Sequence, residues 1–240
     1  MRRSGLTVAA VFLVAVSGGC AGHAPVSLQG YSGTAIVSDD GRTLIVGPYG
    51  LECGGTVSVV ARESRARVAL FLQYVPGGSA CVPGEGAMAM VPEQRIRLHA
   101  PLGHRKLADG QTGKATPWLS ARLVLRPRLI PVGYLSGGLL PWISSSLYAG
   151  GVRPAACMQI YRVRNFRALS GADECAIIQS AAGLQLQPSG GWKPIRVRGH
   201  PGQAAPGMIT WREQGLTDLI SAGAGWTTSK LIAIANSAPN

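Results

Sequence analysis

The stretch MITWREQGLTDLISAGAGWTTSKLIAIAN, residues 208–236, contains the clearest local structural signals of the chain. Two strand-type runs, 208–212 and 216–221, are separated by a Glu-Gln-Gly turn signal, which is typical of a β-hairpin. A Thr-Thr pair then precedes the run 229–236, and a threonine hydroxyl at that place can cap a short helix. Trp211 is expected to lie on the inner face of the hairpin as a core residue. This stretch therefore predicts a hairpin that is closed by one helix.

Two more hairpins are predicted upstream. The runs 34–37 and 43–46 flank an Asp-Asp-Gly turn signal, and the runs 56–61 and 65–75 flank a short charged turn. The remaining strand-type runs are 94–99, 121–125, 157–163, 175–181 and 195–197. Together they predict a mainly β fold, α+β at the C-terminus, in which antiparallel sheets form two disulfide-stapled halves with a short C-terminal helix.

Proline and glycine residues near position 130 separate the two groups of strands. We therefore expect a signal peptide at 1–19, a lipidated cysteine and tether at 20–30, a β-rich first half at 31–128, and a β-rich second half at 129–240 that ends in the helix.

The start of the chain has the three parts of an export signal. A basic Arg-Arg pair precedes the apolar run 6–16, and small residues then lead into Cys20. The apolar run is shorter than the about 20 residues that a transmembrane helix needs. The end of this segment, Val16-Ser17-Gly18-Gly19-Cys20, resembles the lipobox of bacterial lipoproteins, which implies that Cys20 is acylated after cleavage. The alternative is an ordinary signal peptide that is cleaved near Ala21.

Four further cysteines follow: Cys53, Cys81, Cys157 and Cys175. An even number of cysteines in an exported chain is typical of disulfides, and four cysteines allow three connectivities. Their positions favour Cys53–Cys81 and Cys157–Cys175, with one staple in each half. A zinc site is not predicted, because no close cysteine pair is present and the histidines are scattered.

Composition limits the function classes. With 46% hydrophobic and 14% charged residues, the chain is not typical of a disordered protein. Its net charge of +12 would suit nucleic acid, but export argues against that partner. Pairs of arginines at alternate positions favour a solvated strand face. These pairs are Arg65 and Arg67, Arg95 and Arg97, and Arg196 and Arg198.

Ser136 and His200 are the nearest candidates for catalytic residues. Ser136 lies in Gly-Tyr-Leu-Ser-Gly, which lacks the glycine that precedes the serine of a hydrolase nucleophile elbow by two residues. His200 lies in Gly-His-Pro-Gly, where a turn histidine is the simpler interpretation. No set of residues has matched catalytic roles, so we expect neither an enzyme nor a cofactor or metal site.

The C-terminal motifs carry a resemblance. Residues 209–215 (ITWREQG) and 230–237 (KLIAIANS), with Val197-Arg198-Gly199 upstream, resemble uncharacterised actinobacterial envelope lipoproteins and the extracytoplasmic domains of membrane-bound regulators. This resemblance implies a hairpin closed by a helix.

Export, anchoring and the absence of a catalytic motif lead to one functional expectation. We expect a lipoprotein on the outer face of the cell membrane that acts as a non-catalytic binding or interaction module for an envelope protein or a cell-wall component. The alternative is a carrier for an apolar, lipid-like ligand, which strands that are apolar on both faces would favour. A serine hydrolase is the third hypothesis.

Overall fold

The computed structural model describes residues 27–47, 56–75, 93–130, 134–141, 154–163, 174–186, 191–223 and 225–239. These residues form strands β1 (Ser27–Gly30), β2 (Ala35–Val37), β3 (Thr43–Val46), β4 (Thr56–Glu63), β5 (Arg67–Val75), β6 (Gln94–Arg97), β7 (Lys106–Asp109), β8 (Trp118–Ser120), β9 (Tyr134–Leu140), β10 (Ala156–Val163), β11 (Glu174–Ser180), β12 (Lys193–Val197), β13 (His200–Ala205), β14 (Met208–Glu213) and β15 (Leu216–Ala222). A 3₁₀ turn spans Ala121–Leu123, and the helix α1 spans Thr228–Asn236. None of the helices in these ranges is both long and apolar enough to cross a membrane.

The described strands form three sheets. In the first half, one sheet has the order β1-β5-β4, and β7 also pairs with β5. A second sheet has the order β6-β3-β2-β8. The second half is one antiparallel sheet with the order β12-β13-β14-β15-β11-β10-β9, which we call the large sheet. The predicted mainly β fold, with antiparallel sheets and a short C-terminal helix, is confirmed.

The predicted hairpins form where their turn signals stand. The pair β2–β3 turns at Gly41, whose φ of 68° is readily adopted by glycine, and Asp40 accepts a hydrogen bond from the backbone N–H of Arg42. The pair β14–β15 turns at Gln214 and Gly215, which both have positive φ. These positive angles match the right-handed twist of the two strands, as in a type I′ turn.

The core of the first half is filled by its own side chains. Val68 and Leu70 of β5 are completely buried there and belong to the same cluster as Tyr31, Leu44 and Leu107. Val68 and Leu70, two of the apolar residues of β5 that suggested a lipid carrier, therefore pack against other parts of the protein, whereas Val75 at the end of the strand is exposed.

The helix α1 covers one face of the large sheet. The side chain of Thr227 caps the helix by accepting a hydrogen bond from the backbone N–H of Lys230. Leu231 and Ile234 are buried in one cluster with Ile220 and with Trp211, which is 2% exposed. The prediction that Trp211 is a core residue is confirmed.

The two halves share a further apolar cluster. Ile36 and Ile45 of the first half pack there with Cys157 and Leu216 of the large sheet. At the same junction, the hydroxyl of Thr34 accepts a hydrogen bond from the backbone N–H of Ala156 over 3.3 Å.

The predicted strand at 121–125 is wrong. The chain there forms the 3₁₀ turn and then continues without a strand partner. Its backbone is instead bound by two glutamine side chains of the large sheet, Gln159 and Gln179. Because these partners come from distant parts of the sequence, the local apolar pattern did not distinguish this segment from a strand.

The predicted staple between Cys157 and Cys175 does not form. In the antiparallel pair β10–β11, Cys157 lies opposite Gln179 and Cys175 lies opposite Tyr161, four positions away. At about 3.3 Å per residue this offset is about 13 Å, whereas the Cα atoms of a disulfide lie within about 7 Å. Both side chains are free, buried thiols.

The remaining predictions concern the other three cysteines and the tether. Cys20, Cys53 and Cys81 lie outside the described residues, so the acylation of Cys20 and the Cys53–Cys81 staple stay predictions. Residues 27–30, predicted as part of the tether, form β1 and pair with β5. A tether upstream of Ser27 would therefore be shorter than the sequence predicted.

Candidate binding cavity

A cavity of about 220 Å³ lies between residues 121–126 and the large sheet. Its polar lining residues are Asp39, Arg122, Arg126, Gln179, Arg198, Glu213, Gln214 and Asp218. We call this space the carboxyl cavity, after Asp218.

Strand register places the polar groups of the carboxyl cavity on one face. Asp218 of β15 lies opposite Gln179 of β11 on one side and opposite Trp211 of β14 on the other. Since side chains alternate along a strand, Glu213 shares the face of Trp211. Gln159 and Tyr161 of β10 lie on this face too, so two carboxyl groups, two amides and one phenol stand in the surface that α1 and residues 121–126 cover.

Asp218 is the most unusual group in the carboxyl cavity. The residue is 2% exposed, and its Oδ1 accepts a hydrogen bond from Gln179 Nε2 over 2.8 Å. Burial raises the pKa of Asp218 to about 7, and the charge of Glu213 adds to this effect, while the hydrogen bond from Gln179 and the charge of Arg198 oppose it. Near neutral pH the Asp218 carboxyl is therefore divided between its neutral and ionised forms, so it can donate or accept a hydrogen bond.

Gln179 also fixes the opposite wall. Its Oε1 accepts a hydrogen bond from the backbone N–H of Leu125 over 2.5 Å, and its Nε2 donates to the backbone oxygen of Leu123 over 2.8 Å. Gln159 donates to the backbone oxygen of Leu125 and accepts a hydrogen bond from the hydroxyl of Tyr161. These contacts satisfy the backbone of residues 121–126 without a strand partner and hold it over the sheet.

Arg198 and Glu213 form a buried ion pair at one end of the carboxyl cavity. The guanidinium Nε donates to Glu213 Oε2 over 2.8 Å, and the indole N–H of Trp211 donates to the same oxygen over 3.2 Å. Burial alone would raise the pKa of Glu213, but the hydrogen bonds from Arg198 and Trp211 outweigh it and hold this pKa below its usual range. Glu213 is therefore a carboxylate at neutral pH.

Arg198 also binds the end of α1. Its Nη1 donates to the backbone oxygens of Ala235 and Ala238, where a positive charge stabilises the helix terminus. The side chain of Arg198 is only 5% exposed, so the predicted solvated face is wrong for this residue, whereas Arg196 is exposed as expected. The φ of 52° at Arg198, followed by Gly199 at 80°, turns the chain between β12 and β13 and places the side chain inward.

The mouth of the carboxyl cavity is exposed and rich in arginine. Arg122 and Arg126 both line the cavity and are exposed. The guanidinium Nε of Arg122 lies 3.3 Å from Asp39 Oδ1. Both side chains are exposed, and an ion pair of this type contributes little to the free energy of unfolding.

Ser136 and His200, for which the sequence predicts no catalytic role, do not line the same cavity. The hydroxyl of Ser136 accepts a hydrogen bond from the backbone N–H of Gly138, and it lines a separate cavity of about 360 Å³ that has no histidine among its lining residues. His200 begins β13 instead of lying in a plain turn, and its Nε2 is 4.0 Å from Glu213.

The described residues contain no group of three or more His, Cys, Asp or Glu side chains placed to hold a metal ion. Asp218, Gln179 and the inward position of Arg198 were not predicted from the sequence. The signal for Asp218 was present, because an acidic residue alternates there with Leu216 and Ile220 on the apolar side of a strand.

No protein-family model, no curated protein and no solved structure matches the chain.

Proposed function

We propose that the protein is a lipid-anchored lipoprotein on the outer face of the cell membrane, and that it binds a small polar ligand in the carboxyl cavity without transforming it. The observation that carries the binding function is the Asp218 carboxyl, which is buried beside open space. A buried carboxyl costs free energy unless it is well paired, and a ligand with complementary polar groups would offset that cost.

The two walls of the carboxyl cavity support binding at this place. Gln179 contacts both Asp218 and the backbone of residues 121–126, so floor and wall are held in fixed positions relative to each other. A site whose polar groups are fixed before binding loses little conformational entropy when the ligand arrives.

The anchoring half of the proposal is supported by the lipobox-like sequence at 16–20. Its test is membrane fractionation of the native host for the wild type and for Cys20→Ser. The wild type should sediment with membranes, and the variant should accumulate as an uncleaved or soluble form. Equal membrane association of the cleaved forms of both proteins would contradict the anchor.

The binding half is tested by a thermal-shift screen of small polar compounds and short-chain lipids against the full exported chain. A ligand at 100 times its Kd stabilises a folded protein by about 2.7 kcal/mol, which raises the unfolding temperature measurably. A polar compound should stabilise the wild type and the exposed control Arg196→Gln, which lies outside the cavity lining, but not Asp218→Leu. Stabilisation by lipids alone would favour the carrier instead.

A further inference from the structure

We infer that the carboxyl cavity recognises the carboxylate group of a small organic acid, held between the Asp218 carboxyl and the guanidinium groups of Arg122 and Arg126. This inference rests on the proposed function, because it names the chemical class of ligand for the same site.

The floor of the carboxyl cavity offers one hydrogen bond that fits a carboxylate. Gln179 Nε2 donates to Oδ1 of Asp218, so the carboxyl proton, when present, belongs on Oδ2. An O–H group that donates to a carboxylate oxygen forms one of the stronger hydrogen bonds in proteins. The neutral form of Asp218 can therefore serve as the donor for a bound anion.

The mouth of the carboxyl cavity favours anions over cations. Arg198 is balanced by its ion pair with Glu213, so this pair adds no net charge. Arg122 and Arg126 remain at the opening, and the Asp39 partner of Arg122 is exposed to solvent. Counting Arg122, Arg126 and Asp39, the opening carries a net charge of +1, which attracts anions and repels cations.

The groups around Asp218 determine how binding depends on pH. Besides burial, Gln179 of β11, Glu213 of β14 and Arg198 before β13 affect its titration, while the Cys157 thiol on β10, whose pKa is raised to about 12, is neutral. Asp218 donates a hydrogen bond only while it is protonated, and above a pH of about 7 it becomes a second negative charge that repels the ligand. The affinity for a carboxylate should therefore fall as the pH rises.

The size of this effect follows from the protonated fraction of Asp218. With a pKa of about 7, that fraction changes from about nine-tenths at pH 6 to about one-tenth at pH 8. The dissociation constant should increase about tenfold over this interval.

The test is a titration of the full exported chain with acetate and with N-acetylalanine, followed by ¹H–¹⁵N NMR of the Gln179 side-chain amide. The wild type should bind both compounds, about tenfold more weakly at pH 8 than at pH 6. Asp218→Asn keeps a hydrogen-bond donor without a titrating group, so it should bind with an affinity that does not change between these two values.

Two surface variants keep the inference open to refutation if Asp218→Asn does not fold. Arg126→Gln should weaken binding at both pH values, and the exposed control Arg196→Gln should not change it. Wild-type binding that is independent of pH, or tighter at pH 8, would overturn the inference.

The two proposals fail in different ways. If neutral polar compounds shift the Gln179 amide but both carboxylates leave it unchanged, the carboxylate inference is wrong and the proposed binding function stands. If neither class of compound shifts it, both are wrong.

Discussion

Replacement of Arg198 by methionine should destabilise the second half strongly. The variant keeps an unbranched apolar stem but removes the bonds of the guanidinium to Glu213 and to the carbonyl groups of Ala235 and Ala238, which lie at and just beyond the end of α1. Removing one partner of a buried ion pair costs about 3–5 kcal/mol, because the other charge remains buried without compensation. We expect a loss of this size, which for a chain of 150–250 residues lowers the melting temperature by about 6–20 °C.

Arg196→Met is the matched control, two residues upstream in β12. The side chain of Arg196 is exposed, and its Nη1 donates a hydrogen bond to the nearby backbone oxygen of Gly199. Exposed substitutions of this kind change the free energy of unfolding by about 0.5 kcal/mol or less. The comparison therefore separates the buried contacts of Arg198 from the general loss of one positive charge.

The assay is urea unfolding, followed by tryptophan fluorescence, at pH 7 and at pH 3. The folded-state pKa of Glu213 lies below its unfolded value, so the ion pair contributes stability above the unfolded value of about 4.5 and loses it as the pH falls through the folded-state pKa. The difference between Arg198→Met and the wild type should thus be large at pH 7 and smaller at pH 3. If Arg198→Met is as stable as Arg196→Met at pH 7, the stabilising role of the buried Arg198–Glu213 pair is refuted.

Three further predictions concern other parts of the molecule. Burial alone would raise the pKa of Glu63, but hydrogen bonds from Arg105 and neighbouring groups lower it to about 2. The wild type should therefore lose stability as the pH falls from about 4.5 to about 2. Acid titration of Glu63→Gln should show a flatter profile, and an unchanged profile would contradict this. Burial raises the pKa of the Cys157 and Cys175 thiols to about 12, so iodoacetamide at pH 8 should label them only after denaturation. Peptide mapping that finds native labelling, or a bridge between them, would contradict the structure. Thr227→Ala removes the cap of α1 and should cost about 1 kcal/mol in urea unfolding, whereas a neutral effect would show that the cap contributes nothing.

Local signals were sufficient for the hairpins and for α1. Gly41 and Gly215 stand in turns that need positive φ, and Thr227 stands where a helix needs a hydroxyl, so these elements can be predicted from neighbouring residues alone. The strand β13 was missed because its Pro201-Gly202 pair is typical of a turn. The structure gives the reason for Gly202: a Cβ there would lie 2.7 Å from the backbone oxygen of Thr210 on the neighbouring strand.

The carboxyl cavity depends on contacts between residues that are far apart in the sequence. Gln179 binds Leu123 and Leu125 across more than fifty positions, and no local periodicity predicts such a pair. Arg198 looked like an exposed strand arginine because it alternates with Arg196, and only the reversed φ at the turn directs it inward. Sequence therefore predicted many of the strands, but not β1, β7, β8, β9 or β13, while the site follows from the way in which the strands are assembled.

Native mass spectrometry of the mature protein, recovered from its own host, tests the central claim most directly. The wild type should carry a small polar adduct that is lost on denaturation. Asp218→Leu, purified in the same way, should lack this adduct. The same adduct on both proteins would show that the ligand binds elsewhere. An adduct with the mass of a lipid would contradict the polar site and favour a carrier.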